Sequence, residues 1–197
     1  MSLLRPVLLA AGRSTRFEGG FKLLQDLGGA PVVLRSARAL RDADLGRPLV
    51  VTGSHAPEVC GVLLRALGEE VELLPNPAYR HGMATSVALA ARCVREGEGM
   101  LVALADMPLL TAADHCAVAS ALDADDPESV ARGAVDGVPG HPVAFGSAWP
   151  RRMERLTGDR GAAALLKDRP VRLVELPEPS QIDVDTGAAL ERARRFL

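Results

Sequence analysis

The fold class that this sequence predicts is α/β, with a mostly parallel, Rossmann-like sheet between two layers of helices. Short apolar runs alternate with helical patterns over most of the 197 residues, as in parallel sheets covered by helices. The chain is 48% hydrophobic and 24% charged, a normal balance for a folded protein. After residue 122 the pattern changes to two strand-like runs joined by a Gly/Pro loop, which predicts a late β-hairpin insertion. We therefore expect a single domain over 1–197.

Each predicted element follows from its local pattern. The short apolar runs predict strands at 7–10, 48–52, 71–74 and 101–105, the hairpin strands at 129–135 and 142–145, and a strand at 171–176. Apolar residues at helical spacing predict helices at 32–40, 57–67, 84–95, 112–122, 149–156, 162–167 and from residue 187. In such sheets, ligands bind beyond the carboxyl ends of the strands.

Composition excludes several classes of partner. Aromatic residues make up only 3% of the chain and the net charge is −2, which argues against binding to nucleic acid or to anionic membranes. Neither a signal peptide nor a membrane span is visible in the sequence. The spacing of Cys60, Cys93 and Cys116 suggests neither a disulfide nor a metal site, and each lies in the apolar stripe of a predicted helix. We therefore expect buried, reduced thiols. These features together predict a cytoplasmic protein.

The segment 7–22 is the strongest functional signal in the chain. A buried strand opens into the small-residue loop 10–14, whose backbone N–H groups an anion can approach closely. Arg13, Arg16 and Lys22 add three cations that suit the oxygens of a nucleoside triphosphate. The segment lacks both the dinucleotide-binding and the Walker glycine patterns. From these residues alone, a phosphate cradle and an exposed basic turn are equally good interpretations.

Carboxylates at two further positions suit a divalent metal. Asp106 directly follows the predicted strand 101–105 and either caps the turn before Pro108 or binds a metal. We favour the metal, because magnesium prefers one or two protein carboxylates together with phosphate oxygens and a candidate phosphate loop lies at the same edge. Near the C-terminus, alternation predicts a short strand that places Asp183 and Asp185 on one face. The alternative is that Asp185 or Thr186 only caps the last helix.

Two loops supply further candidate residues. The loop 76–86 leads into a predicted helix whose free N–H groups suit an anion, and Ser86 there could hydrogen-bond a base or ribose, although a simple turn and helix cap explains the loop equally well. His141 lies on the hairpin, with no acid or cysteine near it in sequence to form a metal cluster or a catalytic triad.

Taken together, these motifs resemble the MobA-like nucleotidyltransferases, in the order in which that family has them and over essentially the whole chain. The motifs are Leu9-Ala10-Ala11-Gly12-Arg13-Ser14 with Arg16 and Lys22, Asn76-Pro77 with Gly82 and Ser86, Leu104-Ala105-Asp106, Gly140-His141-Pro142, Gly158-Asp159-Arg160-Gly161 and Asp183-Val184-Asp185-Thr186. The Ala-Ala-Gly loop is most similar to the molybdenum cofactor cytidylyltransferases, since the guanylyl branch tends to have Ala-Gly-Gly. The spacing from Arg16 to Lys22 is longer by a residue than the commonest one in the family.

The resemblance implies the nucleotide-diphospho-sugar transferase type of fold. It also implies a transfer of CMP from CTP to the terminal phosphate of molybdopterin, with magnesium or manganese, with no flavin or nicotinamide cofactor, and with a molybdenum hydroxylase as a candidate partner. Its nucleotide-binding part would be about 1–110 and its acceptor part about 123–185. The implied catalytic residues are Arg16, Lys22 and Asp106; the nucleotide-binding residues Leu9, Ala10, Ala11, Gly12, Arg13, Ser14, Lys22, Asn76, Gly82, Ser86 and Asp106; the acceptor-side residues Gly140, His141 and Asp159; and the metal ligands Asp106 and Asp185, with Asp183 as the alternative.

Two other functions fit the same residues. One is nucleotidyl transfer with GTP, or to another phosphorylated acceptor such as a sugar phosphate, a polyol phosphate or phospholactate. The other is a non-catalytic, nucleotide-binding accessory protein for a molybdenum hydroxylase.

Overall fold

The computed structural model describes residues 3–14, 17–18, 20–158, 165–166 and 169–197. In this part of the chain the strands are β1 (Leu4–Ala10), β2 (Leu49–Thr52), β3 (Glu72–Pro75), β4 (Gly99–Leu104), β5 (Val130–Val135), β6 (Val138–Phe145) and β7 (Arg172–Glu175). The α-helices are α1 (Val32–Asp42), α2 (Ala56–Leu67), α3 (Met83–Ala91), α4 (Ala112–Ser120), α5 (Trp149–Met153) and α6 (Gly187–Arg194).

The strands form one sheet in the order β3-β2-β1-β4-β6-β5-β7. Strands β1 to β4 are parallel where they pair, β6 is antiparallel to both β4 and β5, and β7 is parallel to β5. The mostly parallel sheet and the late hairpin are thus confirmed. The hairpin strands β5 and β6 extend the sheet beyond β4, so the beginning of β6 lies at the same edge as the carboxyl ends of the other strands.

Helices cover both faces of the sheet, which confirms the three-layer prediction. On one face, side chains of β1 such as Leu8 pack in a core with Val33 of α1 and Leu63 of α2. On the other face, Leu9 packs in a second core with α3 and α5. Successive residues of β1 thus point to opposite faces, as the period of a strand requires.

Several helices end earlier than their patterns predict: α3 ends at Ala91, α4 at Ser120 and α5 at Met153. The prediction of buried thiols is wrong: Cys93 lies in the turn after α3 and is exposed, and Cys60 and Cys116, within α2 and α4, are partly exposed. The predicted helix 162–167 lies mostly outside the described residues. Among the helices that the structure describes, none has the length and apolar character needed to cross a membrane.

Candidate functional site

A cleft of about 290 Å³ opens at the carboxyl edge of the sheet, between the loop after β1 and the beginning of α3. Its walls contain seven of the residues that the sequence marks as nucleotide-binding, together with four that it does not mark. The first group is Leu9, Ala11, Gly12, Arg13, Gly82, Ser86 and Asp106, and the second is Tyr79, Arg80, Met83 and Leu104. The structure therefore brings the opening loop, the 76–86 loop and the end of β4 to one place.

The loop after β1 offers backbone donors to this cleft. Gly12 and Arg13 are exposed, and in the described part of the chain their N–H groups donate no backbone hydrogen bond. A Cβ atom placed on Gly12 would meet no atom of the described residues within 4 Å. Ala10, in contrast, is buried in the core and does not line the cleft. Any contribution from Ala10 to ligand binding therefore comes from its backbone.

Gly53, which the sequence analysis does not single out, supports the loop from behind. A Cβ atom at Gly53 would lie 2.7 Å from the Cβ of Tyr79 and 2.8 Å from the Cβ of Ala11. Both distances are shorter than any real contact, so only glycine lets the two walls of the cleft approach this closely. A glycine directly after the predicted strand 48–52 is the signal that could have revealed it.

Asn76 orders the second wall rather than facing the cleft. Its buried side-chain amide donates to Thr85 Oγ1 at 3.0 Å and to Ser86 Oγ at 2.9 Å, and its Oδ1 accepts from the backbone of Ala78 at 2.9 Å. All of its donors are thereby used. Because Ser86 Oγ accepts from Asn76, its own proton is directed to another acceptor, such as a ligand in the cleft.

Arg80 adds a cation to the same wall. Its Nε donates to the hydroxyl of Tyr79 at 3.2 Å, and its guanidinium lies 5.7 Å from the centre of that ring. Arg13 and Arg80 therefore line the cleft with Asp106. This balance of charges favours an anionic ligand. The position of Arg80 in a loop before a helix was a visible signal that the sequence analysis did not use.

At the floor of the site, Lys22 joins the two carboxylates that lie at distant points of the sequence. Its Nζ donates to Asp106 Oδ2 and to Asp185 Oδ1, each at 2.5 Å, and its side chain is only 9% exposed. Burial alone would lower the pKa of Lys22, but the charge of Asp106 and the hydrogen bonds to both carboxylates outweigh it and raise the pKa. Lys22 is therefore a permanent cation in the physiological range.

The longer spacing before Lys22 does not prevent this contact. Gly20 has φ of 100°, a left-handed conformation that favours glycine, and the short 3₁₀ helix Lys22–Leu24 follows it. Phe21 is buried and stacks on the ring of His55, with ring centres 4.2 Å apart. The turn and the stacking together direct Lys22 towards the sheet.

Backbone hydrogen bonds fix the position of Asp106 on three sides. The N–H of Ala105 donates to Leu9 O at 3.0 Å, and Ser36 Oγ of α1 donates to Ala105 O at 2.9 Å. The N–H of Val184 donates to the carbonyl of Asp106 at 2.8 Å. The end of β4 is thus tied to β1, to α1 and to the C-terminal segment at once.

The C-terminal segment distinguishes the two candidate carboxylates. The predicted strand at 182–185 is wrong: the segment is extended, but it bonds to the loop after β4 and joins no ladder. Thr186 caps α6 by accepting from Ala189 N at 3.1 Å, so Asp185 is not the cap and contacts Lys22 instead. Asp183 is exposed and lines a separate depression with Gln181 and Arg192.

Asp106 keeps one oxygen for a further ligand. Its Oδ1 is buried, and no described residue donates a hydrogen bond to it. Buried acceptors are nearly always satisfied, so an atom of this kind in a carboxylate indicates a missing cation or donor. The oxygen donors of Asp106 and Asp185 are the type that magnesium and manganese prefer.

On the acceptor side, His141 lies next to the end of β4. Its Nδ1 is 3.4 Å from Val102 O, and since a carbonyl only accepts, Nδ1 must donate. Burial lowers the pKa of His141 to about 4, and the charge of Arg132 contributes to the decrease. A Cβ atom at Gly140 would overlap Gln181 Oε1, so the end of that side chain packs directly against Gly140.

Two of the predicted site residues, Arg16 and Asp159, lie outside the residues that the structure describes. Ser14, by comparison, has φ of 54°, and its buried Oγ has no hydrogen-bond partner among the described residues. Arg132, which the sequence analysis does not mention, lies beside His141.

Known proteins resemble this chain in sequence and in fold. Residues 6–175 match the family model of the MobA-like NTP transferase domain. Over 107 residues the chain is 32% identical to the bifunctional protein GlmU of Caulobacter vibrioides, a match that covers 54% of this chain and 23% of that protein. The chain therefore corresponds to less than a quarter of the length of this curated relative.

Two solved structures share the fold over almost the full length. A nucleotidyl transferase from Methanothermobacter superposes with a TM-score of 0.85 at 24% identity, covering 98% of this chain and 97% of that one. The protein Rv0371c of Mycobacterium tuberculosis, solved in complex with manganese, gives 0.78 at 22% identity and covers all of both chains. The fold, the order of the motifs and the family match over 6–175 agree: the chain belongs to the MobA-like NTP transferase domain family.

Proposed function

We propose that the protein transfers a nucleoside monophosphate from a nucleoside triphosphate to a phosphorylated acceptor, in a metal-dependent reaction that releases pyrophosphate. One observation is the main support: the cluster of Lys22, Asp106 and Asp185 lies beside a small-residue loop at the edge of a cleft. Fixed cations and carboxylates of this kind suit phosphoryl chemistry, which depends on positioning and charge more than on a protein nucleophile.

The triphosphate would bind along the loop after β1. The N–H groups of Gly12 and Arg13 would contact its oxygens, and Arg13 and Arg80 would neutralise its charge. Ser86, whose proton is free to donate, would hydrogen-bond the ribose or the base. Arg16 belongs to this proposal through the family resemblance. We propose CTP as the nucleotide because the Ala-Ala-Gly loop resembles that of the cytidylyl branch.

Asp106 and Asp185 would hold a magnesium or manganese ion. The buried Oδ1 of Asp106, which has no donor among the described residues, supports this role, and the oxygen ligands suit either ion. When bound, such an ion neutralises the triphosphate and withdraws charge from the phosphorus that is attacked. Lys22, placed between the two carboxylates, fixes their orientation and adds a positive charge close to the same phosphate.

The reaction is a direct displacement. An oxygen of the acceptor phosphate attacks the α-phosphorus, the bond from that phosphorus to the bridging oxygen of the β-phosphate breaks, and pyrophosphate leaves with the bonding electrons. An ionised phosphate needs no general base. The neutral His141 beside the site agrees with this, because burial lowers its pKa to about 4.

For the acceptor we propose molybdopterin, through its terminal phosphate. The proposal depends on the resemblance to the molybdenum cofactor cytidylyltransferases, and the hairpin with Gly140 and His141 would form the acceptor side, with Asp159 nearby in that family pattern. The resulting cofactor would then pass to a molybdenum hydroxylase.

The test is pyrophosphate release with each of the four nucleoside triphosphates, with and without molybdopterin, and with sugar phosphates, polyol phosphates and phospholactate as competing acceptors. Selective release with CTP and molybdopterin is the expected result. Selective use of GTP, or of another phosphate acceptor, would contradict the finer assignment and leave nucleotidyl transfer intact. Tight nucleotide binding without turnover on any acceptor would overturn the enzymatic proposal in favour of an accessory protein.

A further inference from the structure

Arg132 is a charged residue on the buried face of a strand, beside the proposed active site. Val130 of β5 and Val143 of β6 both pack in the core that contains Leu9. Residues two apart in a regular strand share a face, so Arg132 lies on the same face as Val130. His141 lies in the irregular part of β6, next to Gly140, whose carbonyl accepts a hydrogen bond from Arg132 Nε. Leu9 and Leu104 pair across β1 and β4 at the same level and line the cleft.

This places Arg132 at the side of the cleft that the nucleotide loop does not occupy. One strand, β6, separates β5 from β4, and two interstrand spacings amount to roughly 10 Å. His141 belongs to β6, the strand between β4 and β5. An acceptor that attacks a phosphorus near Asp106 would approach from this direction.

The guanidinium of Arg132 has an unusual electrostatic environment. Its Nε donates to Gly140 O at 2.7 Å, and the described residues provide no carboxylate or further hydrogen bond for it. Burial lowers the pKa of Arg132, and no opposing charge compensates. The single bond from Nε orients the planar group and leaves its two terminal nitrogens for a ligand with paired oxygens.

We infer that Arg132 binds the phosphate of the acceptor. Its guanidinium would form a site for a phosphate monoester on the surface of the sheet, with His141 between this site and β4. The inference deepens the proposed function and rests on it for the identity of the ligand. The bond from Nε to Gly140 O preorganises the guanidinium. A phosphate held there by two terminal nitrogens keeps an oxygen directed towards the nucleotide side.

The binding experiment uses inorganic phosphate as the probe and nuclear magnetic resonance of the full chain as the readout. A non-hydrolysable CTP analogue fills the nucleotide loop first, so that phosphate reports on the second site. We expect saturable shifts of the Arg132 Nε–Hε signal and of the Gly140 amide at millimolar phosphate, and none with acetate. In R132Q the Gly140 shift should need at least tenfold more phosphate, whereas R132K should retain part of the affinity.

Arg151→Gln is the matched control, because Arg151 is exposed on α5 and its one ion pair among the described residues is with Glu96, at 3.8 Å. It should bind phosphate as the wild type does. If Arg132 only anchors the hairpin, R132Q will lower the melting temperature and leave phosphate binding unchanged, which would overturn the inference. The same holds if the wild type shows no saturable shift at Arg132.

A kinetic arm separates this inference from the proposed function. With an active acceptor, R132Q should raise the acceptor KM at least tenfold while the nucleotide Kd, measured without acceptor, changes less than twofold. An unchanged acceptor KM would contradict the inference and leave nucleotidyl transfer standing. A phosphate site at Arg132 in a protein that binds no nucleotide would contradict the proposed function and leave the anion site standing.

Discussion

Lys22 and Arg132 are both cations withdrawn from water near the carboxyl edge of the sheet, but their surroundings are opposite. Two carboxylates contact Lys22 and raise its pKa against the effect of burial. Among the described residues, Arg132 has one backbone carbonyl as its partner, and burial lowers its pKa. The first cation thus has its opposite charges within the protein. The second has no acidic partner in the described part of the chain.

This contrast indicates how the two halves of the site divide the work. The proposed nucleotide half is preorganised, because Ala105 N–H donates to Leu9 O while Ser36 Oγ and Val184 N–H donate to the carbonyls of Ala105 and Asp106, and these bonds fix the end of β4. In the proposed acceptor half, the charge of Arg132 would be balanced only when a ligand binds.

Removing a carboxylate from the nucleotide half should have the largest effect. Asp106→Asn and Asp185→Asn should each lower metal-dependent pyrophosphate release by about 1000-fold or more, since each loses a charged oxygen ligand in a partly buried site. Asp183→Asn, at the exposed carboxylate, is the control and should stay within about threefold of the wild type. Near-normal turnover in Asp106→Asn, or a greater loss in Asp183→Asn than in Asp185→Asn, would refute this assignment.

Lys22→Met should destabilise the metal-free protein by about 3 kcal/mol, because it leaves two neighbouring carboxylates without their cation. The pKa of Lys22 is raised above 10.5, so the stabilisation is complete below pH 10.5 and is lost only as the pH rises through the folded value. Urea unfolding at pH 6 and pH 9 should therefore show the same difference from the wild type.

The matched change in the other half is Arg132→Met. The substitution removes the hydrogen bond to Gly140 O, which destabilises the folded state, and it also removes a charge whose burial is costly. These two effects oppose each other, so the free energy of unfolding should change by about 1 kcal/mol or less. Equal decreases in the free energy of unfolding in Lys22→Met and Arg132→Met would show that the two cations are held in the same way. The contrast between the two halves would then be refuted.

Two glycines of the nucleotide half separate structure from binding. Gly53→Ala should cost about 2 kcal/mol of stability, because its methyl group would collide with Ala11 and Tyr79. Gly12→Ala should leave stability unchanged, since no atom of the described residues lies within 4 Å of the new methyl group, yet weaken nucleotide binding by filling the loop. Thermal melting and nucleotide titration of both variants measure this. The prediction fails if Gly12→Ala is the less stable variant.

The parallel strands and Asp106 could be predicted because their signals are local. Strands that are buried on both faces appear as continuous apolar runs, and a carboxylate directly after such a run must lie at the ligand-binding edge. The joining of Lys22 to Asp185 could not be derived from spacing alone, because it depends on how the C-terminal segment packs. Ile182 and Val184 are buried and the two aspartates are more exposed, so the predicted alternation is present. It belongs to an extended segment outside the sheet.

Arg132 shows the opposite case, a signal that was present and not used. An arginine between the apolar residues of a predicted strand has the parity of a buried position, which is unusual unless the charge is paired or functional. Ser36 had no such signal, because its bond to Ala105 O joins residues far apart in sequence. Contacts of that kind become visible only when the chain is folded.

The pH dependence of stability tests the proposed acceptor half through His141. His141 has a folded pKa of about 4 and an unfolded value of 6.5, so only the unfolded state gains a proton as the pH falls from 7 to 5. The free energy of unfolding of the wild type should therefore fall by about 2 kcal/mol between pH 7 and pH 5. In His141→Gln, urea unfolding at the two pH values should show a decrease that is smaller by this amount. The buried His115 of α4 has the same shift and gives an independent, similar contribution.

Arg132 links this measurement to the comparison of the two halves. Burial is the main cause of the low pKa of His141, and the charge of Arg132 lowers it further. The decrease in the free energy of unfolding between pH 7 and pH 5 should therefore be smaller in Arg132→Met than in the wild type. The difference should be a fraction of the decrease that His141 causes. His141→Gln in the same background should abolish the difference, because the titrating group is then absent. If Arg132→Met changes the pH dependence equally with and without His141, the charge of Arg132 acts elsewhere, and the acceptor half is not the site proposed above.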